Sequence, residues 1–154
     1  MERLKINIRK ETLYINCSGS VIGDISFSIG DWYFPEKDWD DFVVVMLYWL
    51  TKELVELSVD KNKIVDAPFM EGCFKIVLTL DKQNQCNIKF IEGEKLAGDK
   101  EIVYKTVTVP FEEVKIEAKK ACEVLLNMKK SKELDFKEDY EKLEDAYNML
   151  LNVS

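Results

Sequence analysis

The carboxylates between residues 24 and 41 are the side chains in this sequence with the clearest capacity for chemistry. The window holds one base, Lys37, and six acids, which are Asp24, Asp31, Glu36, Asp38, Asp40 and Asp41. It therefore carries a net charge of −5 out of the −7 of the whole chain. Clustered carboxylates can exchange protons with a substrate, hold a divalent cation, or attract a basic partner.

Proton transfer and metal binding fit these carboxylates poorly. Neighbours in a helix, such as Asp40 and Asp41, point about 100° apart and do not converge on one atom. Asp38 and Asp41 would share a helical face, but no third ligand accompanies them. The chain has no histidine, which excludes histidine-containing zinc sites and the Ser-His and Cys-His triads. We therefore predict that the chain is not an enzyme and binds no cofactor or metal ion.

Two interpretations of the acidic window compete. In the first, it is a docking surface for a basic protein, with Trp32 and Tyr33 as aromatic anchors, because such residues are common interface hot spots. In the second, Asp38 caps a helix, its first turn is acidic, and the two aromatic side chains lie in the core. The first interpretation predicts eight partner-binding residues, which are Asp24, Asp31, Trp32, Tyr33, Glu36, Asp38, Asp40 and Asp41.

Length and composition predict one globular domain over residues 1–154. The chain is 47% hydrophobic and 33% charged, and its longest apolar run, residues 42–50, is too short to span a bilayer. Its net charge of −7 opposes binding to nucleic acid. The four cysteines form no CxxC pair and the N-terminus lacks an apolar leader, so we expect free thiols in a cytoplasmic protein.

The stretch 39–57 must lie at the centre of the fold. Its unbroken apolar run needs cover on every side, and Leu50, Leu54 and Leu57 keep the spacing of a helix face. Although three consecutive valines favour a strand locally, the length of the periodic segment predicts a helix. This helix divides the chain into two groups of strands.

Alternating apolar residues predict six strands around that helix. The first group covers 4–8, 13–17 and 25–29, and its first two strands are expected to form a hairpin. The second group covers 74–80, 86–90 and 102–109, with an exposed loop over 93–100. Two amphipathic helices follow over 111–125 and 136–150, joined by a basic link over 129–132.

These elements predict an α+β fold of order βββ-α-βββ-αα. Strands joined by short turns pair antiparallel, so we expect a single, mostly antiparallel sheet of about six strands. The central helix and the two C-terminal helices would cover one face of that sheet. The other face would be polar and would include Ser26 and Ser28.

One segment resembles a known group of proteins. Phe34-Pro35, Trp39, Asp41-Phe42, the valine run and Trp49 resemble the immunity proteins of bacterial polymorphic-toxin loci, as does the segment 110–114. The resemblance covers about a fifth of the chain. It implies a small protein that binds and neutralises a cognate toxin, and it carries over no binding residues.

Charge and resemblance together predict a non-enzymatic protein-binding module. Its expected partner is a basic toxin domain, such as a nuclease, whose phosphate-gripping surface an acidic segment would complement. Two alternatives stay open. One is a structural or adaptor subunit that acts through a homomeric interface, and the other is an enzyme that uses only carboxylates. The sequence is compatible with a monomer or an oligomer.

Overall fold

A computed structural model describes residues 3–93, 100–132 and 137–153. Within these ranges the chain forms three helices, which are α1 (Val43–Val59), α2 (Phe111–Lys132) and α3 (Lys137–Asn152). It also forms nine strands, which are β1 (Leu4–Ile8), β2 (Tyr14–Ile15), β3 (Val21–Ile29), β4 (Trp32–Phe34), β5 (Asp40–Asp41), β6 (Val65–Pro68), β7 (Phe74–Leu80), β8 (Gln85–Glu92) and β9 (Ile102–Pro110). The predicted α+β class is confirmed. The predicted loop over 93–100 falls largely outside the described residues.

The first sheet is built around β3, which has antiparallel neighbours on both sides. Ile29 pairs with Leu4 of β1 on one side and with Trp32 of β4 on the other. Farther along β3, β2 continues the β1 side and β5 continues the β4 side. The predicted hairpin between the first two strands is therefore wrong, because β1 and β2 both pair with β3.

The second sheet contains β6, β7, β8 and β9 in that order, and every pair is antiparallel. The prediction of one continuous sheet is wrong, because the described strands form two sheets. The edge of β1 is closed to further strands by α2. Glu113 and Glu117 of that helix accept hydrogen bonds from the backbone N–H groups of Leu4 and Ile6, at 3.2 and 3.3 Å. Helix side chains thus satisfy donors that another strand would otherwise take.

The inner faces of the two sheets meet through a cluster of aromatic rings. The first sheet contributes Phe27, Trp32 and Phe34, and the second sheet and its β6–β7 loop contribute Phe69, Phe74 and Phe90. Most of these rings meet edge to face at centroid separations between 5.0 and 6.0 Å, a favourable aromatic geometry. The aromatic core therefore lies between the two sheets and holds them together. It is not a layer on one face of a single sheet, as the sequence predicted.

Helix α1 is buried, as the sequence predicts for the centre of the fold. Leu47, Leu54 and Leu57 are fully inaccessible, and α1 contacts β3, β6 and both other helices. The helix begins at Val43, however, and not at residue 39. Its N-cap position is Phe42, whose side chain makes no capping hydrogen bond. The predicted capping role of Asp38 is therefore wrong.

The C-terminal helices appear where the sequence predicts them. Helix α2 runs without interruption to Lys132, so the predicted basic link over 129–132 is wrong. Helix α3 packs on both α1 and α2. Within the described ranges, no helix combines the length and the apolar character that a membrane crossing requires.

The four cysteines are free thiols in very different surroundings. Cys17 is exposed and Cys73 is half-buried, whereas Cys86 and Cys122 are fully buried. Burial raises the pKa of both buried thiols to about 12. Because the thiolate is the reactive form, we expect iodoacetamide to modify Cys17 first, then Cys73, and to reach the buried pair only on unfolding. Mass spectrometry of a labelling time course measures this order, and equal labelling of all four in the native protein would contradict it.

Candidate functional site

The outer face of the first sheet is polar and carries three of the predicted binding residues, Asp24, Tyr33 and Asp40. Because directly paired strand residues share a face, Lys5, Asn7, Ser26, Ser28 and Tyr33 lie together on this face. Contrary to the prediction, the two serines are buried, each only 4% exposed. They are short and lie among longer side chains, and Asn7 Nδ2 donates a hydrogen bond to Ser28 Oγ at 2.9 Å.

A groove of about 520 Å³ opens at the end of this face where β2 and β5 flank β3. We call it the acidic groove. Its lining consists of Tyr14, Asn16, Ile22, Glu36, Asp38, Trp39, Asp40, Asp41, Phe42 and Glu71. Five of these ten side chains are carboxylates, and none of the described residues that line the groove is basic. The groove therefore concentrates negative charge in a concave surface.

Asp41 lies at the base of the acidic groove and is only 1% exposed. Its carboxylate accepts hydrogen bonds from Trp39 Nε1 at 2.9 Å, Phe42 N at 2.7 Å and Glu71 N at 3.1 Å. Asp41 is therefore a structural residue, and its assignment as a partner contact is wrong. Its neighbour Asp40 is exposed and keeps the predicted position at the surface.

Arg9 partly neutralises the negative charge of the acidic window 24–41. It directly follows β1 and lies outside that window. Its guanidinium contacts Asp38 at 3.0 Å, Asp24 at 3.2 Å and Glu11 at 3.2 Å. The hydrogen bond with Asp38 is the main cause of the raised pKa of Arg9. Burial raises the pKa of Asp24, while the nearby guanidinium opposes that shift. Asp24 and Asp38 are thus ion-paired, whereas Glu36 and Asp40 are exposed carboxylates of the groove.

The two predicted aromatic anchors lie on opposite faces of β4. Trp32 faces inward, with its ring 5.0 Å from that of Phe90, and Lys105 lies over it at 5.3 Å. Tyr33 faces outward and is half-buried, with the ammonium of Lys37 5.8 Å from its ring centre. The structure therefore separates Trp32 from the acidic groove and places Tyr33 in a smaller adjoining hollow together with Asp24 and Asp38.

Asp31 is also separated from the other acids. It is exposed in the turn after β3, whereas Asp24 lies near the start of that strand. Because an extended chain rises about 3.3 Å per residue, the two carboxylates are roughly 20 Å apart. The eight predicted residues therefore do not form one site. Glu36, Asp38, Asp40 and the buried Asp41 line the groove.

Six residues of the groove were absent from the predicted set, among them Tyr14, Trp39 and Glu71, which add aromatic rings and a carboxylate to it. Tyr14 is 51% exposed on β2, and Trp39 packs its ring 5.2 Å from that of Phe74. Glu71 comes from the loop between β6 and β7, where Gly72 adopts a φ of +70°. The exposed position of Tyr14 follows from strand alternation. Glu71 is thirty residues from Asp41 and has no local signal that would place it there.

The groove can attract and bind cationic groups, and its rings offer faces on which a cation can lie. Among the described residues, no group of three or more Cys, Asp or Glu side chains is arranged to hold a metal ion. In comparisons with known proteins, no family model matches this chain, and no curated protein or solved structure matches it. The geometry of the groove is therefore the best indication of what this chain binds.

Proposed function

We propose that this chain is a non-enzymatic protein-binding module of the immunity type. It binds a basic toxin domain in the cytoplasm through the acidic groove and neutralises it. The observation that carries this proposal is the composition of the groove, which combines exposed carboxylates at Glu36, Asp40 and Glu71 with the half-exposed ring of Tyr14. Such a surface complements a basic protein patch in charge.

Neutralisation follows from occupying the toxin's own binding surface. A nuclease-type toxin must present Lys and Arg side chains to the phosphates of its substrate. The carboxylates of the groove would bind those side chains in place of phosphate, and the clustered negative charge would accelerate the encounter. Tyr14 would supply apolar contact area at the groove wall, which mainly slows dissociation.

The hydrogen bonds within the groove favour binding over carboxylate-based catalysis. Asp41, its most buried carboxylate, already accepts hydrogen bonds from three N–H donors of the chain itself. Arg9 likewise holds Asp38 in an ion pair at 3.0 Å. These two groups support the shape of the surface, while the exposed Glu36 and Asp40 are available to a partner.

Charge reversal of the exposed groove acids is the direct test. We expect the double variant Glu36→Lys, Asp40→Lys to associate about tenfold or more slowly with a basic toxin domain encoded beside this chain's gene, because electrostatic steering is lost. The association rate should also become less sensitive to salt. Stopped-flow fluorescence at several salt concentrations measures both quantities. Asp38 is a poorer probe, because it pairs with Arg9 and has a φ of 62°.

A matched control separates groove charge from net charge. Glu141 and Glu144 are exposed on α3, so the variant Glu141→Lys, Glu144→Lys changes the net charge of the chain by the same amount away from the groove. We expect its association rate and salt dependence to stay close to those of the unmodified protein. If the groove variant behaved like this control, the acidic groove would not be the binding surface.

A further inference from the structure

The outer face of the first sheet carries a second hollow, at the end of β3 away from the acidic groove. It has a volume of about 380 Å³, and we call it the basic hollow. Two of its lining residues are cationic, and none of the described residues that line it is acidic. The lining consists of Arg3, Lys5, Asn7, Ser28, Gly30 and Tyr33. Because a strand rises about 3.3 Å per residue, roughly 15 Å of β3 separates the basic hollow from the acidic groove.

The register of the first sheet explains why this part of the face is concave. Lys5 of β1, Ser28 of β3 and Tyr33 of β4 are directly paired and form one row across three strands. Paired residues share a face, so the short Ser28 lies between two long side chains. Gly30 directly follows β3 with a φ of +57° and has no side chain to close the end of the hollow. Ser28 is therefore the floor, and Lys5 and Tyr33 are the walls.

Both cations of the basic hollow are available to a ligand. The ammonium of Lys5 is exposed and forms no ion pair or hydrogen bond with the described part of the chain. The side chain of Arg3 is 68% exposed, and its Nε lies 3.8 Å from Glu113 Oε1. That oxygen also accepts a hydrogen bond from Leu4 N. The guanidinium has five N–H donors, so this single loose contact leaves it free to bind an anion.

The buried hydroxyl groups of the face also have unused donors. Ser26 and Ser28 are each only 4% exposed, and buried polar groups are normally hydrogen-bonded. Ser28 Oγ accepts from Asn7 Nδ2 at 2.9 Å, but its own proton goes to none of the described residues. Ser26 lines the smaller adjoining hollow, and its hydroxyl has no hydrogen-bond partner within the described ranges. An acceptor bound on this face would satisfy these donors.

We propose that the basic hollow binds the phosphate group of a small phosphate monoester. Arg3 and Lys5 contact the group from the β1 side, the Ser28 hydroxyl donates from the floor, and Tyr33 lies on the β4 side. A phosphate monoester carries a charge of about −1.5 to −2 near pH 7, which two cations balance. Its three terminal oxygens point in different directions and accept strong hydrogen bonds, whereas a carboxylate offers two oxygens in one plane.

The size and charge of the site favour a small molecule over a nucleic acid. Two cations contact one phosphate group, while a nucleic-acid backbone needs a longer basic surface than a chain of net charge −7 provides here. The adjoining hollow, which shares Asn7 and Tyr33 with the basic hollow, would accept the organic part of the ligand over Ser26. This site is independent of the acidic groove and of the function proposed for it.

Titration of the full chain with glycerol phosphate tests the site directly. Two-dimensional amide NMR at constant ionic strength follows every backbone N–H group while screening stays the same. We expect saturable shifts at Lys5, Ser28 and Gly30, and none at Trp39 and Glu71 in the acidic groove. An absence of shifts, or small unsaturable shifts at exposed lysines over the whole surface, would overturn the proposal.

Two competing anions identify the ligand chemistry. At neutral pH sulfate and malonate are both dianions, but sulfate is tetrahedral and malonate carries two planar carboxylates. We expect sulfate to displace glycerol phosphate from the basic hollow, and malonate to bind several-fold more weakly than sulfate. If malonate bound as tightly as glycerol phosphate, the hollow would select charge alone and the assignment to phosphate would be wrong.

Substitution of Lys5 tests whether the basic hollow itself holds the anion. Lys5→Ala removes a charge-assisted hydrogen bond, so we expect the affinity for glycerol phosphate to fall about tenfold. Lys89 is an exposed lysine on β8 of the second sheet, and Lys89→Ala makes the same change in net charge. This control should bind like the unmodified protein. Equal affinities of the two variants would show that the anion does not occupy the basic hollow.

Discussion

Replacing Phe34 with alanine is expected to reduce the free energy of unfolding by about 3–5 kcal/mol, as for other fully buried aromatic residues. Phe34 is 1% exposed, and its ring lies within 6.3 Å, centroid to centroid, of five other aromatic rings. Four of the five rings, those of Phe69, Phe74, Phe90 and Tyr104, lie on the side of the second sheet. Truncation would open a cavity where the two sheets meet. Urea denaturation followed by circular dichroism measures the change.

The adjacent residue provides the control for this prediction. Tyr33 lies on the same short strand but faces outward and is half-buried. We expect Tyr33→Ala to cost much less stability, because its removal leaves no enclosed cavity. If the two variants lost similar amounts of stability, the aromatic cluster would not be what holds the sheets together.

Strand alternation predicted which residues form strands better than it predicted how the strands pair. Ile25, Phe27 and Ile29 are all buried and lie in one strand, as their spacing indicates. Alternation reports which face of a strand is buried and does not report which strand is its neighbour. The fold class could therefore be predicted, while the division into two sheets could not.

The missing hairpin has a local physical cause. Residues 10–12 form a single 3₁₀ turn, in which Thr12 N and Leu13 N donate to Arg9 O and Lys10 O. The turn interrupts the strand without reversing it, so β2 continues along the side of β3 that β1 began. The segment also lacks the Asn-Gly type of dipeptide that a two-residue hairpin turn favours, so its residues do not promote a tight reversal.

The charge of the acidic window was a partial guide to the site. It led to Glu36 and Asp40, which are exposed in the groove, and it also included Asp41, which is buried. The interpretation of these acids as helix caps was wrong for a tertiary reason. Asp40 and Asp41 pair with Asp24 and Gly23 in the first sheet, so they cannot also form the first turn of α1. No property of the local sequence indicates that pairing.

Arg9 and Glu71 show why a count of charges along the chain differs from the charge of a surface. Arg9 precedes the window by fifteen residues and still contacts Asp24 at 3.2 Å. Glu71 reaches the groove because the second sheet places its loop beside Asp41, with a hydrogen bond of 3.1 Å. One residue removes negative charge from the window and the other adds it to the groove. Both effects need the tertiary arrangement of the two sheets.

Asp41→Ala is expected to lower the free energy of unfolding by about 3–5 kcal/mol. If Asp41 were an exposed acid of the window, the same substitution would have only a small effect. The substitution leaves three N–H donors without their carboxylate acceptor, those of Trp39, Phe42 and Glu71. These donors point at the buried position of Asp41, where without an acceptor they lose the hydrogen bonds that they would form with water in the unfolded chain. Urea denaturation measures the loss, and Asp40→Ala, one residue away and exposed, should stay within about 0.5 kcal/mol of the unmodified protein.

Asp41→Asn separates the charge of this residue from its shape. An amide has one acceptor oxygen, and its NH₂ group would face at least one of the three N–H donors. We therefore expect Asn to recover only part of the stability that Ala loses. Because Asp41 holds the Glu71 loop against the first sheet, both variants should also bind a basic partner more weakly when fully folded. An Asp41→Ala variant as stable as Asp40→Ala would show that these three hydrogen bonds do not hold the groove together.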